Sequence, residues 1–111
     1  MRGKSDQLFK DASSAWDSGD LGRAFELFSQ AAEAGDASCQ LNLGYFYDCG
    51  LHVPRDVRLA RRWYLQAYRQ GEASAASNVA TLWRDAHDYG RMIWWWRAAI
   101  RGGEGDTLLD L

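Results

Sequence analysis

The residues of this chain that could do chemistry are few, and they do not converge. His52 and His87 both fall in segments that read as loops, and neither is accompanied by cysteines or histidines at metal-ligand spacing, so no metal site is expected. Cys39 and Cys49 lie in, or at the end of, one expected helix. Ten helical residues separate them by about 15 Å, more than twice the Cα span of a disulfide. They read as free thiols, with Cys39 acting as a small buried hydrophobe. There is no phosphate-cradling glycine loop, no Ser/His or Cys/His arrangement and no paired carboxylates in an evident pocket. The sequence therefore points to binding rather than catalysis, and to no cofactor.

Two groupings stand out. Arg55, Arg58, Arg61 and Arg62 gather at the start of a helix, where the macrodipole disfavours positive charge by a few tenths of a kcal/mol to about 1. The cluster reads as a solvated outer face, with a docking site for an acidic partner as the alternative. The run Trp94-Trp95-Trp96 is the second grouping, and its meaning depends on the elements that position it.

Those elements repeat. With Asp20, Asp56 and Asp88 placed under one another, three rows align: DLGRAFELFSQAAEAG, DVRLARRWYLQAYRQG and DYGRMIWWWRAAIRGG. Copies recur every 32–36 residues, roughly the period of a helical solenoid. In this register Trp95 and Trp96 stand where Leu27/Phe28 and Trp63/Tyr64 stand, which predicts that they are core. Trp94 aligns with Glu26 and Arg62 and is expected on the outer face, as a contact for a partner or a second copy, or beneath an unfinished fourth repeat.

Taken in order, the chain reads as helix pairs. The first runs from about Ser5 to Ala34, with Leu8, Ala12 and Ala15 on one helix, a turn at residues 18–20, and Leu21, Ala24, Leu27, Phe28 and Ala31 on the next. Gly35 supplies the left-handed residue that ends it. In the second pair, Leu41, Leu43, Gly44 and Tyr47 form the inner face of the first helix. Residues 49–54 must be loop because Pro54 biases Val53 away from helix. Asp56 then caps a helix that buries Ala60, Trp63, Tyr64 and Ala67. The side-chain-free Gly44 lets a neighbouring helix approach closely. The third pair repeats this with Ala76, Val79, Ala80 and Trp83, a turn at residues 86–88, and Tyr89, Met92, Trp95, Trp96 and Ala99, ending at Gly102 and Gly103. GEGDTLLDL then starts a fourth copy, whose Leu108, Leu109 and Leu111 either fold back onto the third pair or continue a longer array.

Composition agrees with packed helices. Of 111 residues, 47% are apolar and one is proline. Residues 1–54 carry four Lys/Arg against eight Asp/Glu, and residues 55–111 nine against seven, so the net charge of −2 shows no basic excess of the kind nucleic acid demands. The first residues lack the apolar run of a signal peptide or a membrane span, which makes the cytoplasm the expected location and excludes a membrane partner.

The pattern resembles the Sel-one-like repeat family, the tetratricopeptide-like helical repeats with a slightly longer central loop. The resemblance rests on Leu41, Leu43, Gly44, Tyr47, Gly50, Val53, Asp56, Ala60, Trp63, Tyr64, Ala67 and Gly71. The outer copies look more like ordinary tetratricopeptide units, through Leu8, Ala12, Gly19, Asp20, Ala24 and Ala31 in one and Ala80, Asp88, Tyr89 and Ala99 in the other. The chain departs from the pattern at His52, where a second loop glycine is usual, and at Met92, where alanine is usual. The resemblance implies an all-α, right-handed α-solenoid filling residues 1–111 as one domain. Its repeats span about 5–35, 36–71 and 72–103, with a partial fourth at 104–111.

It also implies a non-catalytic scaffold that binds a protein or peptide along a concave groove. Carried over by position, the groove comprises Phe9, Ser13, Trp16 and Asp17, then Leu41, Tyr45, Asp48 and Cys49, then Ser77, Thr81, Arg84 and Asp85. Trp16 and Tyr45 could equally be packing between repeats. A structural module that self-associates through Trp94 and the C-terminal edge is the alternative. A relative that binds or hydrolyses small molecules is disfavoured, because such relatives carry a cysteine pair in every repeat.

Overall fold

The three aspartates that open the aligned rows each cap a helix. Asp20, Asp56 and Asp88 accept the backbone N–H groups of Arg23, Leu59 and Arg91, each at 3.1 Å, and Asp36 does the same for Cys39 at 2.9 Å. Each cap satisfies one orphan donor of a helix start and contributes about 1 kcal/mol. In the computed structural model, which describes residues 2–101, these caps begin four of six helices. The helices are α1 (Arg2–Asp17), α2 (Leu21–Glu33), α3 (Ala37–Cys49), α4 (Val57–Arg69), α5 (Ser74–Asp85) and α6 (Tyr89–Ile100). Helix α5 lacks a side-chain cap. Glu72 stands there in place of Asp36, and its longer side chain instead accepts a hydrogen bond from Ser38 Oγ at 3.2 Å.

Helices pack chiefly against their neighbours in sequence, α1 on α2, α2 on α3 and so on to α6. The result is elongated, 44 × 31 × 21 Å, with a radius of gyration of 14.6 Å against about 13 Å for a globular chain of 100 residues. Two apolar clusters form the core. One joins α1, α2 and α3 through Ala12, Ala24, Phe28, Ala31, Cys39, Leu43 and Phe46. The other joins α4 and α5 through Ala60, Tyr64, Ala67, Ala75, Val79 and Leu82.

Between the clusters Gly44 does what its type suggests. A Cβ built there would lie 2.7 Å from two ring atoms of Tyr64 and 3.2 Å from the Ala60 carbonyl oxygen. Tyr64 itself is fully buried, and its hydroxyl donates to Asp48 Oδ2 at 3.0 Å. Burial and the Asp48 carboxylate both push its phenol upward from the ordinary value. In the loop after α3, His52 adopts φ +65° where the repeat pattern has glycine. Its ring lies against Gly22 and 5.7 Å from that of Phe25, tying the loop to α2.

Several details differ from the sequence reading. Helix α1 begins at Arg2, ahead of Ser5. Phe46, expected on neither face, is fully buried, while Leu41, Tyr47 and Trp63 are only partly so. The largest correction concerns α6. Trp96 is 41% exposed and Tyr89 is 53% exposed, although both were read as core; Met92 and Ala99 are half-buried, and Ala98 is the residue of α6 that is fully buried. The difference lies in what covers each helix. Phe28 is covered by Phe46 of the next pair, at 5.8 Å between ring centroids, and Tyr64 by residues of α5. Among the described residues no helix follows α6 to cover the equivalent Trp96. The expectations for Gly102, Gly103, Leu108, Leu109 and Leu111 lie outside the described residues.

Candidate partner-binding surfaces

The first helix of each pair carries the expected groove positions. On α1, Phe9 and Trp16 are half-buried. Phe9 meets Phe28 edge-on at 6.2 Å, and Trp16 meets Phe28 at 5.9 Å and Phe46 at 4.9 Å. The outer side of Trp16 faces Tyr45 of α3, centroid to centroid 5.9 Å, and Tyr45 is 43% exposed. Two neighbouring repeats therefore present a joined aromatic surface whose inner edge is core and whose outer edge is open. Phe9 also lines an open hollow of about 220 Å³ with Asp6, Lys10, Asp36 and Ser38.

The polar groove positions are more self-contained. Asp48 accepts the Tyr64 hydroxyl and pairs with Arg55 at 3.6 Å, while Arg55 Nε donates to the Asp48 carbonyl at 2.7 Å. Ser77 Oγ donates to the Ser74 carbonyl and Thr81 Oγ1 to that of Ser77, so both hydroxyls are satisfied along α5. Arg84 and Asp85 are exposed and pair with each other at 3.3 Å. Ser13 and Leu41 are half-buried; Asp17 and Cys49 are exposed. The structure thus joins Trp16 to Tyr45 and leaves the α5 positions as a separate polar patch. Cys39 is fully buried and Cys49 exposed, both as free thiols. Burial, then the Asp36 carboxylate, pushes the Cys39 thiol up to about 12.

A second surface was not read from the sequence. Two guanidinium groups approach the Trp83 ring of α5, Arg61 of α4 at 4.6 Å and Arg91 of α6 at 4.9 Å from its centroid. Both distances are within cation–π range. A cleft of about 330 Å³ opens here, lined by Arg61, Leu65, Val79, Trp83, Arg91, Trp94 and Trp95. Trp94 is 55% exposed, as its alignment with Glu26 and Arg62 predicts, and meets Trp95 edge-on at 4.9 Å. The four-residue spacings Arg61/Leu65 and Val79/Trp83 signal shared faces; that those faces meet is tertiary information.

Residues 18–36 and 37–72 match the family model for the Sel1 repeat. This chain carries Sel1 repeats. The solved structure of a Sel1 repeat protein from Oxalobacter formigenes superposes on 99% of the chain with a TM-score of 0.75 at 24% identity, and the chain covers 48% of that protein. This likeness extends the Sel1 solenoid fold over the third helix pair as well. Among curated proteins, a chitin synthase regulator SKT5 from Malassezia restricta is 40% identical over 53 residues, 48% of this chain and 4% of the regulator. The ERAD-associated E3 ubiquitin-protein ligase components HRD3A and HRD3B of Arabidopsis thaliana are 35% and 33% identical over 68 and 67 residues, 58% of this chain in each case. The chain spans 10% and 11% of their lengths.

Proposed function

We propose that this Sel1-repeat chain is a non-catalytic scaffold that binds an extended peptide or protein segment along the faces of α1, α3 and α5. The observation that carries the reading is the Trp16–Tyr45 surface, a half-open aromatic pair spanning two repeats. Rigid aromatics of this kind anchor partners at little entropic cost. Asp17, Ser77, Thr81, Arg84 and Asp85 would supply polar contacts farther along. Relatives named as a regulator and as ligase components agree with a role in assemblies rather than in bond-making. Two free thiols suit a reducing compartment, which favours the cytoplasm. Selection of a displayed peptide library on the immobilised chain tests the reading. Enriched peptides should lose binding to Tyr45→Ala and Thr81→Arg variants that remain folded; peptides indifferent to both changes would reject the groove.

A second reading, self-association, is favoured by the apolar side of α6, where Ile93, Trp94, Trp96 and Ile100 are all exposed. Sedimentation across a wide concentration range decides it. A dimer dissolved by Trp96→Glu would establish it, and a monomer throughout would reject it.

A further inference from the structure

We propose that the cleft between α4 and α6 is a separate binding site for an acidic protein segment carrying an aromatic or aliphatic anchor. At 100° per residue, Val79 and Trp83 stand about 200° around α5 from the groove positions Ser77 and Thr81, on the opposite side of that helix. The cleft is therefore independent of the groove. Its apolar lining, Leu65, Val79, Trp83, Trp94 and Trp95, suits one large side chain, and among the described residues its ionised groups are the guanidiniums of Arg61 and Arg91.

Both guanidinium groups lie within cation–π range of Trp83, a contact made through the ring that does not use up their N–H donors, which can meet carboxylates. Arg91 gives one nitrogen to Asp88. No carboxylate lies within salt-bridge distance of Arg61 among the described residues. The same surface continues along α4 as a shallow trough of about 400 Å³ lined by Arg58, Arg61, Arg62, Leu65, Gln66 and Arg69, with no acid in its walls among the described residues. Among the described residues the uncompensated charge is positive throughout, so the complementary occupant is acidic. Half-open tryptophan beside arginine pairs two of the residue types enriched in protein-binding hot spots. A long polyanion fits less well, because the chain as a whole is negative, with the excess in residues 1–54.

The test is fluorescence anisotropy with a labelled synthetic peptide of Asp and Glu flanking a central Trp-Leu pair, set against the same peptide with Asn and Gln. The acidic peptide should bind saturably and weaken with added salt. Arg61→Gln, on the helix surface, should weaken it about tenfold or more, as expected for one lost charge-assisted hydrogen bond. Trp94→Ala should weaken it too, while Thr81→Arg in the groove leaves it unchanged; thermal melts of each variant report that the fold is intact. Equal binding of the uncharged peptide, indifference to Arg61→Gln, or tighter binding of labelled oligouridylate or of anionic phospholipid vesicles would overturn the assignment. So would occupation of the cleft by a second copy of the chain.

Discussion

Gly44→Ala sets two well-measured effects against each other. Helix propensity alone favours alanine by about 1 kcal/mol in a helix interior, so on secondary structure the change should stabilise α3. The packing says otherwise. The new methyl would sit 2.7 Å from Cδ1 and Cε1 of Tyr64 and 3.2 Å from the Ala60 carbonyl. Neither neighbour can yield freely, because Tyr64 is fully buried and tethered through its hydroxyl to Asp48, and the carbonyl belongs to the backbone of α4. Overpacking of this kind costs about 1–3 kcal/mol, and restoring contact requires α4 to move away. The net expectation is destabilisation by up to about 2 kcal/mol, or up to roughly 10 °C in Tm for a domain of this size. Urea titration of both proteins measures it. Gly90→Ala is the control, since a Cβ there meets only Asp88 Oδ1 at 3.8 Å, and it should be neutral or stabilise by up to about 1 kcal/mol. If Gly44→Ala stabilises as Gly90→Ala does, the close approach of α3 and α4 is wrong.

Further outcomes follow from the same structure. Tyr64→Ala should cost about 3–5 kcal/mol, and Tyr64→Phe about 1–2, from the lost hydrogen bond to Asp48; a chemical-denaturation loss below about 1 kcal/mol for the alanine variant would contradict its burial. Trp94→Glu should leave the melting temperature nearly unchanged because the ring is 55% exposed, whereas strong unfolding would place it inside. Thiol titration at neutral pH should modify Cys49 rapidly and Cys39 only after denaturant is added; equal rates would contradict the burial of Cys39. The pH dependence has a defined sign. The Cys39 thiol is raised from 9.0 to about 12 in the folded chain, so its contribution is complete below pH 9 and is lost as pH rises toward 12. Tyr64 acts in the same direction, and stability that stays constant above pH 9 would contradict both.

What could be read from the sequence was whatever repeats. Asp20, Asp56 and Asp88 fix the register, and from it follow the caps, the turns, the burial of Tyr64 and the outward placement of Trp94. The same logic failed at Trp96 and Tyr89, because a repeat position predicts burial only where a following helix supplies the cover. Phe46 was missed because α3 is apolar on more than one side, packing into the first cluster through Phe46 and toward the second through Leu41 and Tyr47. The Arg61–Trp83–Arg91 stack was invisible for a different reason. It joins three helices through side chains far apart in sequence, and the arginine cluster at residues 55–62 gave only the local half of it. Sequence register named Trp16 and Tyr45 as expected groove positions or packing between repeats, but not that their rings meet, nor that Asp48, Ser77 and Thr81 already have partners within the chain.

In the proposed function, the open faces of α1, α3 and α5 hold a partner segment. A photo-crosslinking amino acid placed at Tyr45, with a matched one at Glu26 on the exposed side of α2, tests it most directly in the cells that make the protein. The account predicts that Tyr45 captures one defined segment of another protein, identifiable by mass spectrometry and lost with Thr81→Arg, while Glu26 captures none. Capture of the same segment from both positions, or only of a second copy of this chain, would contradict it.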